Sequence, residues 1–482
     1  MRTLSPDLPE AVEMLVDSSK SSPRNLQMPG EPHYQPKALQ PYLGYDQRAG
    51  WKILVEWYWL VTLAEVGIMP SAHARYLTPK LLKTLLDNIT ETKITKLERT
   101  KTKHDILALR EYMKRYLPTA MDRWLHLGLT SYDIVCTAYA LQLQQTFKQV
   151  FYPKLYEVDE TWRQLIAGLA ATLRIGRTHL QYALPVTFGS WLSVLHSRFA
   201  DTSQTSATLA YKVTGKFSGA VGTKAALMIL TNEDVEQEAL HLLRLPPAGI
   251  STQIVKPEPM ARFYSEVGLL SAALANLGDD VRHLQAAGVE EVISASSTSS
   301  TMSHKTANPV LAENIDGMHV SVSGDVGKVQ DTVNSTLERD LRYSNVIRSY
   351  PSILVYTYQQ LETTHKLLKT FKVNKAACQR NFQACAKLVT AELLHLSLQM
   401  AGYPNAHQLV NTKIVPRARQ SGNDLVTEME VYLRGSRDKR LKQAWQSVKP
   451  EVRERIKRPE LYLGRAVRMA KDEARQRLNL PH

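Results

Sequence analysis

Residues 267–284 read VGLLSAALANLGDDVRHL, and this stretch decides the fold of the chain. Apolar residues recur in it at alternating steps of three and four. They are Val267, Leu270, Leu274, Leu277, Val281 and Leu284. Such spacing puts them on one face of a long α-helix. Because one helix cannot bury this seam alone, the stretch predicts packing against other helices in a bundle.

The same spacing occurs in two other parts of the chain. One set is Leu155, Val158, Trp162, Leu165 and Leu169, and the other is Leu354, Tyr358, Leu361, His365 and Leu368. Each set predicts another long helix with one apolar seam. The alternation of apolar and polar residues that is typical of strands is rare and short. We therefore predict an all-α protein built around a bundle of long helices.

Length and composition are those of a soluble globular protein with several structural units. The chain has 482 residues, 44% of them hydrophobic and 22% charged, and this length suggests about three units. The best candidate for a membrane span, residues 57–69, contains Glu65 and is too short. The first residues lack the apolar stretch of a signal peptide, and the three widely spaced cysteines form neither a metal motif nor a disulfide framework. We therefore expect a cytoplasmic protein that does not contact a membrane.

The formal net charge of +14 favours an anionic partner. A small substrate that carries phosphate and carboxylate groups fits this charge, and so does nucleic acid. The sequence does not favour nucleic acid, because it has no basic low-complexity tail and no zinc-finger spacing. The local excess of basic residues over 434–458 is interpreted as a solvated surface.

Two segments lack the helical period. Residues 1–45 are rich in Pro, Ser and Lys and are predicted to form an extended arm. Residues 293–303, ISASSTSSTMS, are dense in Ser and Thr and lie between helical segments. They predict a loop, which is either a flexible connector or a mobile lid over an active site.

Four segments concentrate polar groups within otherwise apolar helical sequence. They are residues 102–105 (TKHD), 126–133 (HLGLTSYD), 176–185 (GRTHLQYALP) and 299–313 (SSTMSHKTANPVLAE). Taken singly, each has an ordinary structural explanation. A lone histidine is usually a surface or hydrogen-bonded core group, and Thr130 and Ser131 suit the start of a helix. Their order and spacing along the chain, taken together, favour a functional site.

These segments resemble the signature regions of the fumarase/aspartase superfamily. Residues 126–137 (HLGLTSYDIVCT), 177–189 (RTHLQYALPVTFG) and 299–313 are similar to its first, second and third signatures, in order. Residues 103–105 (KHD), 219–223 (GAVGT), 251–253 (STQ) and 338–348 (ERDLRYSNVIR) are similar to segments of the adenylosuccinate lyase branch. The resemblance extends from about residue 50 to about residue 474.

The resemblance implies a three-domain fold with a central helical bundle that is shared in a homotetramer. It divides the chain into an arm (1–45), an N-terminal helical domain (46–132), a central bundle domain (133–379) with a signature loop at 293–309, and a C-terminal helical domain (380–482). It also implies a lyase that releases fumarate by β-elimination from adenylosuccinate or a succinyl-carboxamide ribotide, in purine biosynthesis. Neither a metal nor an organic cofactor is implied.

Site residues follow from the same resemblance. His179 matches the general acid, and Glu313 matches the carboxylate that pairs with it. Ser299 matches the loop serine that acts as base, although the adjacent Ser300 suits the same role, and Lys305 would favour its alkoxide. The positions that match substrate-binding residues are His104, Asp105, Thr130, Ser131, Thr178, Gln253, Asn308, Arg339, Ser344 and Arg348. Among these, two arginines with a serine hydroxyl suit a phosphate group.

The sequence also departs from the family pattern. Thr298 and Ser303 replace a usual Gly and Pro in the signature loop, and one extra residue separates Lys305 from Asn308. Leu180 stands where Gly is usual. Residues 254–259 (IVKPEP) replace a charged stretch. The N-terminal Arg-Tyr pair that commonly helps to bind the nucleotide is not identified in the sequence, and Tyr42 and Tyr45 are the tyrosines considered near it.

Three functional interpretations therefore stay open. The first is an adenylosuccinate lyase, which the retained Arg339, Ser344 and Arg348 favour. The second is a divergent lyase of the same superfamily with another succinyl-amine substrate, which the altered loop favours. The third is a non-catalytic binding protein on the same fold.

Overall fold

The structure is a computed structural model that describes residues 5–18, 32–231, 234–294, 308–339 and 342–481. Helices dominate these residues, so the all-α prediction is confirmed. None of the described helices is both long and apolar enough to cross a membrane. The three boundaries between the predicted arm and domains stay predictions.

The N-terminal part contains seven helices among the described residues. They are α1 (Leu8–Asp17), α2 (Gln40–Leu43), α3 (Gln47–Glu65), α4 (Ser71–Ala74), α5 (Pro79–Asn88), α6 (Glu91–Leu97) and α7 (Asp105–Met113). The long helix α3 is almost entirely buried and forms the centre of this part. Helices α1, α2, α5 and α6 pack around it.

Helix α1 corrects the prediction of an extended arm. Asp7 caps this helix by accepting a hydrogen bond from the backbone N–H of Glu10, and Pro9 stands in its first turn. One face, made of Leu8, Ala11, Val12 and Leu15, is buried against the core. The abundance of Pro and Ser obscured this apolar face, whose burial stabilises the helix.

The central part consists of long helices and two small sheets. Its elements are α8 (Ser131–Thr146), α9 (Tyr152–Gly168), β1 (Leu173–Thr178), β2 (Gln181–Thr187), α10 (Phe188–Ala210), α11 (Ala225–Thr231), α12 (Val235–Leu242), α13 (Glu258–Gln285), β3 (Val292–Ser294), α14 (Val310–Asp331), α15 (Ser344–Ile347), α16 (Tyr350–Thr370) and β4 (Phe371–Val373). Strands β1 and β2 form one antiparallel pair, and β3 and β4 form another.

Helices α9, α10, α13, α14 and α16 pack together as the predicted bundle. All six seam residues of α13 are buried, as are Leu155, Val158 and Trp162 of α9. Each fully buried Leu or Val side chain contributes about 1.5–3 kcal/mol. The pattern of threes and fours therefore identified the faces that hold the bundle together.

The C-terminal part has eight helices among the described residues. They are α17 (Lys375–Gln383), α18 (Ala391–Met400), α19 (Ala406–Leu409), α20 (Val415–Ser421), α21 (Leu425–Gly435), α22 (Lys439–Ser447), α23 (Pro450–Lys457) and α24 (Ala466–Glu473). Helices α18–α23 enclose a separate hydrophobic cluster that includes Leu398, Met429 and Trp445. Helix α24 returns to the bundle, where Glu473 lies 2.7 Å from Nδ1 of the buried His196 on α10.

Candidate active site

Two of the predicted substrate contacts meet where α7 and α8 begin. His104 is the residue before α7, and its Nδ1 accepts the N–H of Ile106 at 3.2 Å. Because Nδ1 is an acceptor, the neutral ring carries its hydrogen on Nε2. This Nε2 lies 3.2 Å from Oγ of Ser131, the first residue of α8. The helix start therefore fixes the imidazole in an orientation that reaches the serine.

Asp105 lies beside this histidine and is paired with Lys52 of α3. The lysine Nζ donates a 2.7 Å hydrogen bond to Oδ2 of the carboxylate. Burial raises the pKa of Asp105, but Lys52, His104 and the N–H of Ile106 together lower it further, so the pKa lies below its ordinary value. Asp105 is therefore ionised near neutral pH and helps to hold Lys52 at the site.

Ser344 and Arg348 line the same cavity as His104, Asp105 and Ser131. They belong to α15 and the residue after it, and Nη1 of Arg348 donates to the Ser344 carbonyl at 2.6 Å. Arg348 is an exposed residue that lines the cavity. The structure therefore brings five of the predicted substrate contacts to one cavity, which we call the corner cavity.

A second cavity adjoins the corner cavity and contains Arg339. Tyr132, Tyr139, Ser344 and Ile347 line both cavities. The backbone of Arg339 has a φ of 82°, in the left-handed region, and its Nη2 donates to the carbonyl of Thr332 at 2.9 Å. Burial raises the pKa of Tyr132 to about 12, so its hydroxyl stays protonated and can donate a hydrogen bond.

Gln253 and Thr130 lie in segments next to these cavities. The N–H of Gln253 donates to the carbonyl of Glu338, the residue before Arg339, at 3.1 Å. Residues 254–257, which follow Gln253, line the second cavity. Thr130 caps α8 and directly precedes Ser131.

The predicted general acid lies elsewhere in the chain, at the tip of the β1–β2 hairpin. Thr178 pairs with Gln181, so His179 and Leu180 form a two-residue turn, with φ of 51° and 59°. Positive φ at both positions is the geometry of a type I′ turn. The side chains of Thr178, His179 and Leu180 are exposed in the isolated chain.

An ion pair with a buried carboxylate holds β1 close to the tip of this hairpin. Arg177 donates two hydrogen bonds to the buried Glu291, at 3.0 and 2.7 Å, and Asn381 donates to the same carboxylate at 2.9 Å. These contacts join the hairpin to α17 close to the turn that carries His179.

Glu313 and Asn308 lie at the start of α14, a third location. Glu313 is in the first turn of this helix and is exposed, and Asn308 is half-buried. No hydrogen bond or ion pair among the described residues joins His179 to Glu313, His104 or Ser131. Ser299, Ser300 and Lys305 lie outside the described residues. Within one chain, the described contacts and cavities therefore leave the predicted site residues in three groups that no described contact joins.

Several residues that line the corner cavity were not predicted from the sequence. Arg48 and Lys52 of α3 line it, together with Tyr132 and Tyr139 of α8. Of the two tyrosines considered from the sequence, Tyr45 lies under the Arg48 guanidinium at 5.7 Å, whereas Tyr42 lines a different cavity beside α1. The available signal was the i, i+4 spacing of Arg48 and Lys52, which puts both cations on one helix face.

Among the described residues, no cluster of three or more His, Cys, Asp or Glu side chains could hold a metal ion. Free thiols are present at Cys136, Cys378 and Cys385. Burial raises the pKa of Cys136, which lines the second cavity, to about 11, so its thiol stays protonated.

Comparison with known proteins gives a consistent result. Residues 79–324 match a family model described as a lyase. The chain is 29% identical to the adenylosuccinate lyase of Archaeoglobus fulgidus over 87% of this chain and 92% of the relative. It is 30% identical to that of Pyrococcus horikoshii, over 75% of this chain and 80% of the relative.

Solved structures share the fold. A fumarate lyase from Mesorhizobium sp. BNC1 superposes with a TM-score of 0.77 at 22% identity, covering 93% of this chain and 99% of the other. The 3-carboxy-cis,cis-muconate lactonizing enzyme from Pseudomonas putida gives a TM-score of 0.76 at 22% identity, with 92% and 97% covered. These two structures carry different activities on one fold.

Proposed function

This chain belongs to the fumarase/aspartase superfamily of lyases, and on that premise we propose that it releases fumarate from adenylosuccinate and leaves AMP. The reaction would place it in purine nucleotide biosynthesis. The observation that carries the proposal is the corner cavity, where His104, Ser131, Ser344 and Arg348 come together. Relatives named adenylosuccinate lyase match most of the chain, which supports the same substrate.

The cations around the corner cavity suit a nucleotide phosphate. Arg348, Arg48 and Lys52 line it, and Arg339 lies in the adjoining cavity with Lys256. Of the cations that line the corner cavity, Lys52 is paired with Asp105, so its positive charge is partly offset. Guanidinium groups bind phosphate oxygens in bidentate fashion, and the Ser344 hydroxyl would supply a further donor.

The apolar character of the second cavity suits the flat base of the leaving nucleotide. Four tyrosines line it, Tyr132, Tyr139, Tyr343 and Tyr350, together with Ile254, Pro257 and Met260. Aromatic and aliphatic surfaces favour a planar ring, and the polar tips of tyrosines can orient it. The phosphate-binding and ring-binding surfaces would share Ser344 and Ile347.

The chemistry follows from the assigned roles. The loop serine, Ser299, would remove a proton from the succinyl carbon next to a carboxylate. His179 would donate a proton to the departing nitrogen as the C–N bond breaks and the fumarate double bond forms. Glu313 would favour the protonated imidazole. Lys305, Asn308, Thr178, Gln253, Thr130 and Ser131 would hold the carboxylates and stabilise the charge of the intermediate carbanion.

We propose further that three copies of the chain complete each site within a homotetramer. Among the described residues of one chain, neither His179 nor Glu313 lines the corner cavity, and no described contact joins these two residues. Val194 of α10, Leu269 of α13 and Val320 of α14 are more than half exposed, although they belong to the bundle helices. Exposed apolar side chains on packed helices favour burial against further copies. Light scattering of the active protein tests this, and a fully active monomer would contradict it.

A second candidate is a lyase that acts on another succinyl-amine. Leu180 favours it, because this exposed bulky residue lies next to His179 where the family pattern has Gly. The experiment that separates the candidates compares adenylosuccinate with its dephosphorylated nucleoside and with a panel of other succinyl-amines, with fumarate release as the readout. The proposal predicts a preference for adenylosuccinate. Equal turnover of the nucleoside, or turnover of another panel member only, would favour the second candidate.

A further inference from the structure

A buried carboxylate joins two segments of the proposed site. Asp133, in the first turn of α8, is completely buried. Its Oδ2 accepts the N–H of Thr130 at 2.8 Å and that of Gly219 at 3.1 Å, and its Oδ1 accepts the N–H of Ser218 at 3.0 Å. One side chain therefore fixes the start of α8, where Thr130 and Ser131 lie, against residues 218–219.

Lys216 supplies the opposite charge. This lysine is also completely buried, and its Nζ donates to Oδ1 of Asp133 and, at 3.0 Å, to the carbonyl of Gly219. The hydroxyl of Thr137 accepts the N–H of Lys216 and donates to its carbonyl, both at 3.0 Å. Both charged groups are thus occupied by contacts within the protein.

The same network continues to the segment that contains Gln253. Oγ of Ser218 lies 2.7 Å from Oγ of Ser251. A Cβ on Gly222, whose φ is 77°, would come within 2.0 Å of the Ser251 carbonyl, so these two segments are in close contact. The N–H of Gln253 in turn reaches the carbonyl before Arg339. Three predicted substrate-binding segments are therefore linked through contacts that begin at Asp133.

Stability alone is a poor explanation for this ion pair. Removing two charges from water is costly, and replacing a buried pair with apolar side chains of similar size is often neutral or stabilising. A fully satisfied buried network does, however, select one arrangement of the backbone groups that it binds. What this network arranges is the N–H and hydroxyl groups around Thr130 and Ser131.

We propose that Asp133 and Lys216 form a positioning pair that holds Thr130, Ser131 and the 218–219 turn in the geometry that binds the substrate's succinyl carboxylates. Neither side chain touches the substrate. This inference rests on the proposed function, because it assigns the carboxylates of a fumarate-releasing substrate to these segments. Since both residues are buried, they act through the backbone groups that they bind.

The test replaces the pair with apolar side chains in the full-length protein. Asp133→Leu combined with Lys216→Met removes both charges together, so it leaves no unpaired buried charge. The N–H groups of Thr130, Ser218 and Gly219 lose their acceptor in this variant, so we expect a lower thermal stability. In the folded variant we also expect a loss of about 100-fold in kcat/KM, because a small displacement of binding groups has this effect. The Kd for fumarate, measured by calorimetry, should rise by about tenfold or more.

A matched control tests whether any buried pair in this fold would behave in the same way. Asp159 and Arg163 form such a pair at 2.8 Å on α9, and neither residue lines the corner cavity or the second cavity. Asp159→Leu with Arg163→Met should change the thermal stability and leave the fumarate Kd and kcat/KM unchanged. If the Asp133/Lys216 variant does not fold, Thr137→Val loosens Lys216 without exposing a charge, and it should raise the fumarate Kd by a smaller factor.

The outcomes are distinguishable. A folded Asp133/Lys216 variant with wild-type kcat/KM and fumarate Kd would overturn the positioning role. If the wild type binds fumarate but releases none from adenylosuccinate, the proposed substrate fails, while weaker fumarate binding by the variant still supports the positioning pair. Absence of fumarate binding by the wild type would contradict both the proposed function and the positioning pair.

Discussion

Nε2 of His104 lies 3.2 Å from Oγ of Ser131, although 27 positions separate the two residues in the sequence. His104 directly precedes α7 of the N-terminal part, and Ser131 is the first residue of α8 of the central part. Both residues line the corner cavity. The contact therefore joins the KHD segment to the first signature region. It gives the proposed substrate site a fixed element before any ligand binds.

This contact predicts non-additive effects of mutation. His104→Ala and Ser131→Ala should each lower kcat/KM about 10–100-fold, and the double variant should lose less than the product of the two, because residues in contact are coupled. Steady-state kinetics of the four proteins in the cycle measure this. Strictly multiplicative losses would mean that the two groups act independently.

The ion pair of Lys52 and Asp105 predicts a change in acid stability. The folded pKa of Asp105 lies below its ordinary value of 3.8, so the pair stabilises the folded protein above that pH and is lost as the pH falls through the folded pKa. Lys52→Met removes the main charge that lowers the pKa of Asp105 but leaves the burial that raises it, so this pKa should rise. Acid unfolding, followed by circular dichroism, should therefore begin at a higher pH in the variant.

Lys83→Met is a suitable control for that experiment, because Lys83 forms an exposed pair with Asp87 at 3.2 Å. Exposed pairs contribute little to stability, so its acid unfolding should match the wild type. An equal shift in the pH of acid unfolding in both variants would contradict the stabilising role of the Lys52–Asp105 pair.

Arg348 predicts a requirement for the substrate phosphate. Arg348→Ala should raise KM for adenylosuccinate by about 100-fold or more, because a charge-assisted phosphate contact is lost, while turnover of the dephosphorylated nucleoside should stay the same. Parallel kinetics with both substrates measure the split. An equal effect on both would indicate that Arg348 does not contact phosphate.

Leu180 predicts a stabilising substitution at the hairpin tip. A side chain with positive φ costs about 1–2 kcal/mol, whereas Gly adopts this conformation freely. Gly also gives the unfolded chain more entropy, and this offsets part of the gain. Leu180→Gly should therefore stabilise the protein by about 0.5–1 kcal/mol. Thermal unfolding at a fixed protein concentration checks this, and a lower melting temperature would show that Leu180 makes contacts in the assembly.

The helical bundle could be predicted from the sequence because its signal is periodic. The seam of α13 identifies buried residues without any knowledge of their partners, and all of its members are buried. Helix α1 could not be predicted in this way, since its short apolar face lies among Pro and Ser residues and its partners α3 and α5 are at least 30 positions away.

Parts of the site were predictable for a different reason. His104, Ser131 and Arg348 were found through their resemblance to known motifs, and the structure places them at one cavity. Arg48 and Lys52 belong to no motif. Their i, i+4 spacing puts both on one helix face, but only the packing of α3 against α8 shows that this face lines the cavity. The turn at His179 and Leu180 contains neither Asn nor Gly, so its type I′ geometry has no local sequence signal.

The most direct test of the central claim is fumarate release from adenylosuccinate by the purified protein, with His179→Gln as the matched variant. The wild type should release fumarate and AMP in equal amounts. The equally folded variant should be at least about 100-fold slower, because it lacks the general acid. A folded wild-type protein that releases no fumarate, or a His179→Gln variant of undiminished activity, would contradict it.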